Sequence, residues 1–140
     1  MSEISAPVSP GELIDKITIL EIKQERIKDA DKVKNVNTEL ELLEALWSGS
    51  VYKSTDFVEK KRAELKAINV ELWVIEDDLR LKESRAEFDQ EFIELARSVY
   101  FTNDRRASVK REINVCVGSN LIEEKSYQDY GRGSKADTGD

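Results

Sequence analysis

Apolar side chains recur along this chain at alternating spacings of four and three residues, a rhythm that restricts it to helices each burying one face. Leu13, Ile17, Leu20 and Ile27, with Gln24 in the same register, share one side of a first helix. Val33, Val36, Leu40, Leu43 and Trp47 repeat the pattern in a second, and Leu65, Ile68, Leu72, Ile75 and Leu79 in a third. Phe88, Phe92, Leu95, Val99, Val109, Ile113 and Val117 continue it in a fourth. With only six Gly and two Pro, and 36% charged residues, the chain has the composition of long solvated helices rather than of a sandwich or barrel.

Local signals place the helix ends. Ser9-Pro10-Gly11-Glu12 supplies a cap hydroxyl, a proline at the first helical position and a carboxylate three residues after the cap, the pattern of a capping box. Asp29-Ala30-Asp31 makes a turn, Ser48-Gly49-Ser50 a stop, and Asp56 with Glu59 a second capping box. The expected fold is all-α: an antiparallel bundle of about four helices with coiled-coil-like seams, two shorter (about 10–28 and 31–48) and two long (about 56–82 and 85–117). At 1.5 Å per residue the long pair would each extend on the order of 40 to 50 Å. The 140 residues fit one helical domain, read as 1–130, and Gly131-Arg132-Gly133-Ser134 opens a stretch, 131–140, whose composition reads as a disordered tail.

Charge and composition exclude several function classes. A net charge of −7 repels nucleic acid, whose binding needs Lys and Arg to displace counterions from phosphate. No apolar run approaches the roughly 18 residues needed to span a bilayer, and the N-terminus lacks the basic-then-apolar pattern of a signal segment, so the expected location is the cytoplasm. With no His and a single cysteine, Cys116, the usual zinc sites, His-based triads and an internal disulfide are unavailable; Cys116 reads as a buried inert thiol, and no cofactor is implied.

Helix 3 carries a second stripe, Ala63, Ala67, Val70, Val74, Asp77 and Leu81, roughly opposite the first, and helix 1 carries Ile19 and Ile22 off its main seam. An exposed helix needs only one apolar face. Either helix 3 is central, or the surplus face meets another subunit; the candidate interface is Ala63, Ala67, Val70, Val74, Leu81, Ile19 and Ile22, in a homo-oligomer or against a protein partner.

Polar residues also lie on or beside the seams. Folding helix 4 back on helix 3 near residues 83–86 sets Asn69 opposite Asn103, Asp77 near Arg97 and Glu64 near Arg106. Such pairs fix register, or they line a pocket of Asn69, Glu76, Asp77, Arg97, Asn103 and Arg106 that takes a small polar or phosphorylated ligand. Arg105 and Arg106, with Lys110 and Arg111 a turn on, form forks suited to phosphate or carboxylate, or else a solvated basic face. Glu41 with Glu44, Glu91 with Glu94, and Glu76 with Asp77 are the carboxylate pairs in reach of Mg²⁺, but the Glu-x-x-Asp that helical nucleotide pyrophosphohydrolases place after a Glu-x-x-Glu is missing. Trp47 and Trp73 read as core or interface anchors, while Tyr127 and Tyr130 belong to a segment that docks back on the bundle or binds a partner.

Three stretches, Ser9 to Lys23 (SPGELIDKITILEIK), Leu72 to Asp77 (LWVIED) and Tyr100 to Arg106 (YFTNDRR), resemble a family of small bacterial helical proteins that is a domain of unknown function. The resemblance covers most of the chain and implies a helical domain, and it assigns no catalytic residues. The functional expectation is a non-catalytic helical interaction or oligomerisation module. Its alternatives are a protein that binds a small polar or phosphorylated ligand, and a metal-dependent enzyme like the nucleotide pyrophosphohydrolases.

Overall fold

Each helix starts at a side chain that satisfies backbone N–H groups left over by the helical ladder. In a computed structural model that describes residues 2–53 and 55–130, α1 spans Pro10–Arg26, α2 Ala30–Ser48, α3 Asp56–Ser84 and α4 Gln90–Val117. Their caps are Ser9, Asp29, Thr55 and Asp89, whose oxygens accept from Glu12, from Asp31 and Lys32, from Val58 and from Phe92 respectively. The fold is thus all-helical, with two shorter and two long helices packed as a bundle. The 131–140 tail lies outside the described residues.

Three end signals act differently from their sequence reading. Ser9 caps α1 as expected, but the Glu12 carboxylate turns to Lys110, 2.7 Å away. Thr55, rather than Asp56, caps α3. Helix 4 begins at Gln90 instead of near residue 85, because α3 closes in a left-handed turn at Ala86 (φ 52°), with Ala86 N–H donating to Glu83 and Glu87 N–H to Lys82. A non-glycine residue in that region is uncommon and has no sequence signature. The chain then needs Asp89 to nucleate a new helix.

Among the described residues α1 alone packs against each of the other three helices, so the centre of the fold is α1 and not α3. Ile14, Ile17 and Leu20 of α1 meet Val36, Leu40 and Trp47 of α2, Val58, Leu65 and Ile68 of α3, and Val109 and Ile113 of α4 in one buried cluster. Full burial of side chains of this size stabilises by roughly 1.5–3 kcal/mol each. α2 lies along α1, while α3 and α4 form a long antiparallel hairpin; ion pairs of Arg62 with Glu21 (3.0 Å) and Glu44 (2.9 Å) tie α3 to both shorter helices.

The start of α1 comes close against α4. Pro10 has no N–H, Glu12 donates to Ser9 Oγ, Leu13 donates to the Ser9 carbonyl, and Gly11 N–H donates to Asn114 Oδ1 at 2.7 Å. Each donor of the first turn therefore has a partner, and Asn114 supplies it from α4. A Cβ at position 11 would lie 2.5 Å from the Lys110 carbonyl oxygen, so only glycine permits the approach. Gly11→Ala is expected to destabilise by about 1–3 kcal/mol in urea unfolding. Gly49→Ala, whose added methyl meets only an ordinary 3.4 Å contact, is expected to stay within about 0.5 kcal/mol of the parent. Equal effects of the two substitutions would contradict the close contact.

Candidate functional site

Where α1 crosses the hairpin, a carboxylate is buried. Asp15 is fully buried, and its oxygens accept from Arg106 Nε (3.0 Å) and Nη2 (2.5 Å) on α4, and from Asn69 Nδ2 (2.9 Å) on α3. The second hydrogen of the Asn69 amide goes to Thr18 Oγ1 at 3.0 Å, and the Thr18 hydroxyl donates to the Asp15 carbonyl. Arg106 Nη1 donates to Asn103 Oδ1 at 3.3 Å. One side chain of α1 is thereby bonded to both hairpin helices.

Charge around this pair is closely matched. Hydrogen bonding to Asp15 raises the Arg106 pKa against the opposing effect of burial. Burial likewise depresses Lys110, but hydrogen bonds to Glu12 and to Glu123 (2.9 Å) outweigh it and hold the ammonium charged. A fork-shaped guanidinium on a buried carboxylate is among the stronger protein contacts, and deleting one partner strands the other charge.

Beside the pair opens a cleft of about 520 Å³, lined by Ile19, Ile22 and Lys23 of α1, by Asn69, Leu72, Trp73, Glu76, Asp77 and Arg80 of α3, and by Asn103 and Arg106 of α4. The three stretches quoted above supply all of these residues except Asn69 and Arg80. Five sequence candidates, Asn69, Glu76, Asp77, Asn103 and Arg106, therefore line one cleft. Two lie elsewhere: the Arg97 guanidinium sits over the Phe101 ring at 5.6 Å, and Arg105 pairs with Glu71 at 3.0 Å. Among the facing pairs, Glu64 binds Lys61 while Arg106 binds Asp15.

The candidate interface residues divide in the same way. Ile22 is core at 1% exposure and Ile19 is half-buried in the cleft, whereas Ala63, Ala67, Val74 and Leu81 form an exposed edge of α3, with Val70 half-buried beside it. Beyond that edge the hairpin continues as an arm. From residue 76 to residue 101 no side chain is buried, and Leu81, Phe88 and Ile93 are each about half exposed. Trp73, Glu76 and Arg80 follow Asn69 at helical spacing, and Phe92, Val99 and Asn103 precede Arg106 in the same way, with Phe88 in the turn before α4. Past α1 that side of the hairpin carries Glu76 and Arg80 on α3 and Phe92 on α4, and the Phe92 ring meets Phe88 edge to face with 5.2 Å between centroids.

Residues 119–130 lie back along the other side of α4. Glu123 meets Lys110, Glu124 meets Arg111 at 3.2 Å, Lys125 and the Tyr130 hydroxyl both reach Asp104, and the Tyr130 ring packs on Tyr100 and Phe101. The segment docks on its own bundle, with Tyr127 left 82% exposed. Cys116 is exposed rather than buried. Among the described residues no group of three or more Asp, Glu or Cys side chains is close enough to hold a metal ion, and several of the acids are bound to cations: Glu44 to Arg62, Glu91 to Lys82 and Glu76 to Arg80. No described helix is long and apolar enough to cross a membrane.

Fold and site together define a four-helix protein with a buried ion pair at its centre, a polar cleft beside it and a bare two-helix arm. The chain belongs to the family described as Family of unknown function (DUF6165), whose model matches residues 4–134. No curated protein and no solved structure matches it.

Sequence reasoning passed over Gly11, Asp15 and Thr18. With Ile22 they form a second four-three-four stripe on helix 1, hidden because glycine, aspartate and threonine read as a solvent face. All four are buried.

Two outcomes test the site. Asp15→Asn, which leaves the Arg106 charge without its partner, is expected to destabilise by about 2–4 kcal/mol, discounted for the partial exposure of Arg106. Asp15→Leu combined with Arg106→Met is expected to lose less than the two single changes together, in a double-mutant cycle of denaturant unfolding. Burial raises the Asp104 pKa, but hydrogen bonds from Lys125 and Tyr130 win and lower it below 3.8. A lowered folded-state value means that attachment of the 119–130 segment is complete above that ordinary value and is lost as pH falls through the lowered one. Resonances of the Tyr130 ring followed by NMR are expected to move to unpacked positions only in that acid range.

Proposed function

We propose that this protein is a non-catalytic helical module that self-associates, a second copy covering the bare face of the α3–α4 arm. The observation that supports it is the run from residue 76 to residue 101, in which no side chain is buried and Leu81, Phe88 and Ile93 are each about half exposed. A two-helix hairpin has too little interior to be held by its own contacts, and most helical stability in proteins comes from packing an apolar face against a neighbour.

Size and symmetry favour this reading. α3 and α4, at 29 and 28 residues, outrun the 17 residues of α1 by more than three turns each. Two arms laid antiparallel about a two-fold axis would bring four helices together along that excess length, with an α1 helix at either end, and such a contact closes on itself. Val74, Leu81, Phe88 and Ile93 are each left about half exposed along the arm, and an antiparallel pair would cover them together with the polar side chains between them, toward the roughly 1,000 Å² of a specific interface. Trp73 is of a residue type that concentrates binding energy, and phenylalanines such as Phe88 and Phe92 are enriched at interface cores.

Sedimentation velocity at micromolar concentration is expected to give twice the 16.0 kDa chain mass. Phe88→Asp with Phe92→Asp is expected to return the monomer while circular dichroism shows α1 and α2 still helical. A wild-type chain that stays monomeric at every concentration would contradict the proposal.

A further inference from the structure

Residues 119–130 are held to α4 by side chains whose charges run in matching order. Along this flank α4 offers first the Tyr100 and Phe101 rings, then the Asp104 carboxylate, then the cations Lys110 and Arg111. The returning segment meets them in reverse: Glu123 on Lys110 at 2.9 Å, Glu124 on Arg111 at 3.2 Å and Lys125 on Asp104. The Tyr130 ring follows, 5.4 Å from Tyr100 and 5.1 Å from Phe101. What this flank receives is therefore a pair of adjacent carboxylates with an aromatic ring further on. Clustered cations reading an acidic segment are a recurrent mode of peptide recognition.

The segment sits lightly on that surface. None of residues 119–130 is buried, and cavities of about 370 and 570 Å³, each lined by both α4 and the segment, lie beside it. Exposed ion pairs add little to stability. The surface beneath also keeps its own order when the segment leaves. Lys110 retains Glu12 at 2.7 Å, whereas Arg111, whose one ion pair among the described residues is with Glu124, regains an unmatched charge. The Tyr100 and Phe101 rings are 43% and 38% exposed even with the segment in place. Gly118, in the left-handed region at φ 70°, is where the chain reverses out of α4, so the segment can leave without disturbing the helix.

We propose that this flank of α4 is a docking site for an extended acidic segment of a partner protein, and that residues 119–130 are its built-in competitor. A short tether presents its segment to its own chain at a local concentration on the order of millimolar. Weak acidic ligands are thereby kept off, and one that binds more tightly displaces the segment. Every group named comes from one chain, so the inference does not rest on self-association.

The test is fluorescence anisotropy of a labelled synthetic peptide with the sequence of residues 119–130, titrated with the full chain. Against a chain in which Glu123→Lys, Glu124→Lys and Tyr130→Ala release the segment, the peptide is expected to bind. The parent chain, its site filled about nine-tenths of the time or more, is expected to bind the peptide about tenfold or more weaker. Charge reversal in the peptide (Glu123→Lys with Glu124→Lys), or Arg111→Glu in the released chain, is expected to weaken binding by a similar factor, with the thermal unfolding midpoint of the chain unchanged. A second measurement needs no variant: excess unlabelled peptide is expected to move the Tyr130 ring resonances of an isotopically labelled parent chain to unpacked positions. Absence of binding to the released chain at concentrations up to millimolar, equal binding to the parent and released chains, equal binding of the charge-reversed peptide, or a Tyr130 ring that stays packed would each overturn the proposal.

Discussion

The ion pair between Asp15 and Arg106 is the contact through which the rest of the structure is joined. α1 is the hub of the bundle, and Asp15 is the side chain by which it grips α3, through Asn69, and α4, through Arg106. A buried charge pair is a poor source of net stability, because desolvation consumes most of the Coulombic gain. What it contributes here is register. Apolar seams with a four-three rhythm allow helices to slide by a turn with little change in packing, whereas a carboxylate that must meet a guanidinium fork and an amide at once allows only one alignment. Gly11 and Asn114 enforce the same alignment one turn away, through a backbone approach that no larger residue permits.

Fixing α1 at the base of the hairpin has a consequence for the arm. The short helix packs along one end of the α3–α4 hairpin only, so the same interaction that specifies the bundle also leaves residues 76–101 without a buried side chain. The cleft lies at the boundary between these regions, with the ion pair as its inner wall and Trp73 at the start of the open face. On the far side of α4, the docked segment through Tyr130 turns the cations Lys110 and Arg111 inward to Glu123 and Glu124, which closes that flank to anions while the segment is docked.

Much of the fold was legible in the sequence, since the four-three spacing of residues such as Ile17, Leu40, Leu65 and Ile113 states directly which side of each helix is hidden. Helix number, approximate ends and antiparallel hairpins follow from that pattern with the cap residues. Which helix occupies the centre does not, because α1 is the shortest and earns its place through Gly11, Asp15 and Thr18, residues that look solvent-facing until a partner is known. The late start of α4 was hidden for a similar reason: a left-handed Ala86 leaves no mark on composition. Of the site, the five polar residues that line the cleft were visible as interruptions of apolar seams. Their true partners were not, because pairing α3 with α4 alone ignores the third helix that supplies the counter-charge.

The central claim is that the arm's open face is an interface between copies of this chain. Isotope-filtered nuclear Overhauser spectroscopy on a mixture of labelled and unlabelled chains addresses it most directly, because only contacts between molecules give signal. The account predicts cross-peaks linking the Phe88 and Phe92 rings of one copy to side chains of α3 and α4 in the arm of the other. A spectrum in which those rings show no contact across molecules, with the arm seeing only its own chain, would contradict it.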